Sequence, residues 1–154
     1  MSAANRPAIG RPDDTGAARA AVEALVAELQ EGWDVHDAAI ADRHLSADVA
    51  WGSPYGATVD DYATLSAIHQ RLKAAGTGGT SSRYRIQRVL PISSDVIVAH
   101  VARLALDADG VPIPPGEEAG DAFSEMAMYV LVRRAGTWWL AAGQNTPIRP
   151  GGAA

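Results

Sequence analysis

The chain contains no cysteine, which excludes disulfides and thiolate metal sites. It has no basic block either. Its 13 Lys and Arg residues are scattered against 18 Asp and Glu, for a net charge of −5. Nucleic-acid binding needs a basic stripe, so no nucleic-acid partner is expected. Long apolar runs are also missing. The longest, Val96 to Leu106, is broken by His100 and Arg103 and is about half the roughly 20 residues of a membrane helix. The first residues, MSAANRPAIGRPDDTG, carry no apolar leader core. A soluble cytoplasmic protein without a membrane partner is expected. Metal-ligand spacing is lacking too. His36 and His44 lie about 12 Å apart if both sit on one helix, too far to share an ion. No serine stands in a Gly-x-Ser-x-Gly elbow, and Gly76-Thr-Gly-Gly79 lacks the Gly-Lys-Ser/Thr of a phosphate loop. No metal and no cofactor are expected.

What remains is an ordinary globular composition, 47% hydrophobic and 20% charged over 154 residues, enough for one domain with a sizeable core. Residues 1–13 and 148–154 read as flexible tails around a single domain at 14–147. Asp13, Asp14 and Thr15 mark a helix start. Val22, Leu25, Val26, Leu29 and Trp33 then form one apolar helical face, with Gly32 loosening its end. Asp34 and Asp37 resemble a capping pair for a second helix reaching Leu45. A short extended run, 48–52, leads into the turn Ser53-Pro-Tyr-Gly56. Asp60 caps a third helix over 61–75 that the glycines 76–79 end. Strands follow at 82–91, 95–107, 121–134 and 137–146. Helices first and a strand meander last predict an α+β fold, with three N-terminal helices packed on a bent antiparallel sheet.

Several patterns resemble the nuclear transport factor 2-like (cystatin-like) superfamily of cone-shaped folds. This superfamily includes ketosteroid isomerase, SnoaL-type polyketide cyclases and limonene epoxide hydrolase. The patterns are the first helix ending in Trp33, Asp34-Val-His-Asp-Ala38 followed by Leu45-Ser-Ala-Asp-Val49, Ile68-His69 on the third helix, and Arg134-Ala-Gly-Thr-Trp138 at a strand turn. With Gln144-Asn145-Thr146 at the end of the last strand, the chain is similar to the SgcJ/EcaC-type branch of SnoaL-like proteins. The resemblance implies a cone enclosing a small-molecule pocket, and a setting in polyketide- or enediyne-type biosynthesis. The sequence departs from the best-known chemistries of the fold. Val49-Ala-Trp-Gly-Ser53 has no carboxylate at the isomerase position, and Arg103 lacks the following acid of the epoxide hydrolases.

His69 is the candidate general base or acid. It shares a helical face with Tyr62, Leu65 and Leu72, and burial favours its neutral form. The structural alternative is a core histidine hydrogen-bonded to backbone or to a strand side chain. Trp51 and Tyr55 flank a turn at the expected mouth. Ser124, Met126 and Met128 share one strand face and are read as the pocket floor, although thioethers fill core gaps equally often. His100 is read as inward-facing with Val96, Val98 and Leu104 if that face is the concave one; the alternative is a histidine in a dimer or core contact. Gln144 is read as orienting a carbonyl oxygen or clamping a neighbouring strand. Glu125 is expected at the outer surface or in an interface, with a second acid as the alternative, and His44 is expected in solvent. The expected ligand is small and apolar or polyene-like. The reading is an isomerase, cyclase or hydratase; its alternatives are a non-catalytic carrier and an association module. Apolar residues on both faces of 96–106 and 121–134 predict a homodimer through the sheet.

Overall fold

The computed structural model describes residues 5–74, 81–119 and 122–151. Helix α1 spans Ala17–Asp34. Its first free N–H groups are met from outside the helix, where the Asp13 carboxylate accepts from Ala18 and Arg19 at 3.1 and 2.9 Å. Val22, Leu25 and Leu29 are buried along one side, and Val26 packs against them. Gly32 does not loosen the helix. A Cβ there would fall 2.7 Å from that of Ala41, so the missing side chain lets the next helix approach.

That next helix, α2, is one turn only, Ala38–Ala41, with the Asp37 side chain accepting from Ala39 N–H at 2.8 Å. It does not reach Leu45. The backbone leaves the helix at Asp42, and Leu45–Gly52 becomes strand β1, because Leu45 and Ala50–Gly52 pair with the last strand. Strand β2, Thr58–Val59, folds back on β1. Helix α3 runs Tyr62–Ala74. Its cap is Asp61 rather than Asp60, the carboxylate accepting from the Thr64 N–H at 2.7 Å and its hydroxyl at 2.8 Å. The glycines at 76–79 lie outside the described residues.

Strands β3 (Ser82–Ser93), β4 (Val96–Ala105), β5 (Glu125–Arg134) and β6 (Thr137–Pro147) form the expected antiparallel meander. The third of them starts at Glu125 rather than 121; Ala122–Ser124 precede it in non-strand backbone, and 121 lies outside the described residues. The sheet order is β2-β1-β6-β5-β4-β3, and β1 joins β6 in parallel, so the sheet has six strands.

The two sheet faces differ sharply. On the helix-covered face Ile97, Ala99 and Val101 oppose Leu131, Tyr129 and Ala127, and all six are buried. On the outer face Val96, Val98 and His100 oppose Val132, Val130 and Met128, and Met128 is 45% exposed. The helices thus cover one side of a curved sheet and leave an apolar row on the other.

Candidate functional site

On α3, Leu65, Ser66 and His69 turn toward the sheet, while Tyr62 and Leu72 are 39% and 51% exposed. Leu65 keeps its expected inward place and Ser66 joins it, while Leu72 turns outward. His69 stays on the inward stripe; Tyr62 leaves it.

His69 meets a carboxylate that sequence reasoning passed over. Its Nδ1 lies 2.7 Å from Oδ1 of Asp42, whose side chain is 2% exposed against 22% for the imidazole. A carboxylate can only accept, so this contact puts the proton on Nδ1 and leaves a lone pair on Nε2. Nε2 has no hydrogen-bond partner among the described residues. Asp42 Oδ2 is enclosed without a partner. Asp42 ends α2 as its C-cap, 27 residues before His69, so no local pattern joins them.

An aromatic wall continues from the imidazole. Trp51 on β1 meets His69 edge-on with centroids 5.7 Å apart, and stacks on Tyr129 of β5 at 6.1 Å. The indole lies over Gly143 of β6, where a Cβ would fall 2.6 Å from Trp51 Cζ3. Tyr84 of β3, Arg103 of β4 and Glu125 of β5 are register partners on the same face. Burial pushes the Tyr84 phenol up to about 12 and drives Tyr129 well above the usual tyrosine range, so both stay protonated donors. Glu125 is not on the outer surface. It holds Arg103 at 2.7 Å with side chains 16% and 13% exposed. The guanidinium also donates to Ser82 Oγ and the Phe123 carbonyl and lies 4.6 Å from the Trp33 ring centre. Lys73, one turn beyond His69, has its ammonium 4.9 Å from the same ring, and burial lowers its pKa.

The remaining expected site residues fall elsewhere. Register puts His100, Met126, Met128 and Gln144 on the outer face, away from His69; His100 pairs with Met128 and Met128 with Gln144. The Gln144 amide reaches the Ser53 carbonyl at 3.5 Å, the clamping alternative. Ser124 is buried, and its hydroxyl accepts from Ala105 N–H at 3.0 Å, fastening the segment before β5 to β4. Tyr55 is 79% exposed, its ring edge-on to Phe123 at 5.9 Å. His44 is not free in solvent; its Nδ1 pairs with Glu28 Oε2 at 2.7 Å. Among the described residues no group of three or more His, Asp or Glu could hold a metal ion. No described helix is long and apolar enough to cross a membrane.

No family model matches the sequence, and no curated protein matches it. Solved structures do. A cystatin-like domain of unknown function from Nostoc punctiforme superposes with a TM-score of 0.70 at 16% identity, covering 86% of this chain and 78% of that one. An NTF-2 like protein of unknown function from Shewanella oneidensis gives 0.66 at 8% identity, with 83% and 98% covered. A ketosteroid isomerase-like protein from Erwinia carotovora gives 0.62 at 18% identity, with 85% and 96% covered. The chain has the NTF2-like, cystatin-like fold.

Proposed function

We propose that the chain is a small-molecule enzyme that moves protons at carbon, with His69 as general base and acid. The observation that carries this reading is the Asp42–His69 pair, 2.7 Å apart, with Nε2 left unspent beside an aromatic wall. Nε2 takes a proton from carbon next to a carbonyl. The electron pair moves onto the carbonyl oxygen, and Tyr129 and Tyr84 supply neutral phenol donors for the enolate. Asp42 holds the tautomer and stabilises the imidazolium. Return of the proton at the far carbon of a conjugated enolate completes an isomerisation; attack of the enolate on a second carbonyl, with the imidazolium proton passing to the new alkoxide, completes a cyclisation. No cofactor enters these steps. Ile68-His69 and Gln144-Asn145-Thr146 support a reading of the chain as a member of the SgcJ/EcaC-type SnoaL-like branch. Its substrate would then be an apolar, polyketide- or polyene-like intermediate of natural-product biosynthesis.

The test requires no knowledge of the product. A panel of enolisable ketones is incubated in D2O, and α-proton exchange is followed by NMR. His69→Ala should lower exchange by about 10²–10⁴-fold while ligand-induced melting shifts persist. Ligand binding without exchange above the His69→Ala level on any ketone would leave a carrier, the second reading.

The outer sheet face, with Val98, Val130 and Met128 partly open to solvent, is proposed as a homodimer interface. Light scattering should give twice the chain mass, and Met128→Asp should halve it. A monomeric wild type at high concentration would refute the interface.

A further inference from the structure

A second histidine–carboxylate pair lies outside the proposed catalytic site. Helix α1 presents Ala21, Ala24, Leu25 and Glu28 along one side, facing Trp138 and Leu140 of β6. The two alanines stand where larger side chains would close the helix against the β5–β6 hairpin. They leave a groove of about 280 Å³. A dry cavity of about 150 Å³ holds benzene, so this one takes a single substituted ring. The polar end is Glu28 and His44. The imidazole is held on two sides, Nδ1 on Glu28 at 2.7 Å and its ring tilted on Trp139 at 5.7 Å, and the His44 backbone carbonyl accepts from Leu140 N–H at 2.7 Å.

The charges decide what fits. Glu28 is held by His44 through Oε2 and faces Arg43 through Oε1 at 3.7 Å, so its charge is already answered and an ammonium gains little. A ligand carboxylate has no proton to offer the imidazole. Thr137 also lines the groove, and its hydroxyl can donate or accept; the atom that requires a donor is His44 Nε2, a lone pair, because Nδ1 carries the proton toward Glu28. We infer that this groove is a binding site for a neutral single-ring molecule bearing one hydroxyl, the ring against Trp138 and Leu140 and the O–H donating to His44. The inference is independent of the role given to His69.

The probe is 4-methylphenol, with 4-methylanisole as the isostere that cannot donate. Backbone amide shifts are titrated by NMR on the intact chain. Saturable shifts are expected at Ala21, Ala24, Thr137 and Trp138, with 4-methylphenol binding about ten-fold tighter than the ether, the contribution of one net hydrogen bond. His44→Phe should erase that preference. Ala24→Leu should fill the groove and weaken both probes at least ten-fold; Ala24 is exposed, so the fold survives the change. Equal binding of the two probes to the wild type, shifts centred on His69 and Tyr129, or undiminished binding to Ala24→Leu would each overturn the assignment.

Discussion

Asp42→Asn separates a catalytic carboxylate from a structural one. The Asp42 side chain is 2% exposed, one oxygen on His69 and the other enclosed without a partner. Two stability effects oppose each other. Losing a charge-assisted hydrogen bond costs about 1.5–3 kcal/mol. Removing a buried carboxylate whose second oxygen is unsatisfied relieves a desolvation cost of several kcal/mol, less about 1–3 kcal/mol for burying the new amide. The terms nearly cancel, and the expected change in unfolding free energy is within about 1.5 kcal/mol, or a few degrees in Tm for a chain of this size. Function does not cancel. The amide can offer its NH2 to Nδ1, which then must accept, moving the imidazole proton to Nε2 and removing the base. A wrong-tautomer substitution of this kind costs up to about 10⁴-fold in rate. Urea denaturation and D2O exchange, measured on the same preparation, give the two numbers. A stability loss above about 3 kcal/mol with undiminished exchange would make Asp42–His69 a packing clamp and refute the catalytic reading.

Two further predictions rest on the same face of the sheet. Because burial holds the Tyr84 phenol at about 12 against an ordinary value near 10, the unfolded chain releases this proton first. The resulting stability is complete below pH 10 and is lost between pH 10 and about 12, with Tyr129 contributing in the same direction. Tyr84→Phe should flatten that fall by about 2–3 kcal/mol in denaturant titrations, and an unchanged slope would contradict it. Gly143→Ala sets a Cβ 2.6 Å from Trp51 Cζ3 and 3.2 Å from Tyr129 Cδ1. It should cost about 1–3 kcal/mol and change the near-ultraviolet circular dichroism of the Trp51–Tyr129 stack, whereas a neutral substitution would mean the indole does not lie over β6.

The helix–strand order was legible because each long element carries its own period. The α1 stripe of Val22, Leu25 and Leu29 and the β-branched apolar run of β4 between turn residues are local signals, and they placed these elements within a few residues. Sheet-face assignment was not local. β4 is apolar on both sides: Ile97, Ala99 and Val101 against Val96, Val98 and Leu104. Alternation says which residues share a face and leaves open which face meets the helices. His100, Met126, Met128 and Gln144 therefore moved together to the outer side when register was resolved, and Glu125 moved inward with Arg103. The parallel pairing of β1 with β6 is a long-range choice, and it cut short the second helix that composition suggested.

The same distinction explains why half of the Asp42–His69 pair could be read and half could not. His69 announced itself through the helical period that also buries Leu65. Asp42 sits at the end of a four-residue helix, in a stretch whose charged residues all read as surface. Its burial comes from packing: Gly32 admits α2 against α1, and α3 then closes over it. A carboxylate hidden this way has one hydrogen-bonding partner, His69, and the Lys73 ammonium as a further opposite charge on α3, while its Oδ2 stays unpartnered, so its burial carries a desolvation cost. One signal could have found it. Asp42 is an acid between two apolar residues of the α2 turn, Ala38 and Ala41, and the first hydrophobic residue of β1, Leu45, all of which are buried. An acid inside a run of core positions needs a partner, and His69 is the histidine that the fold brings within reach.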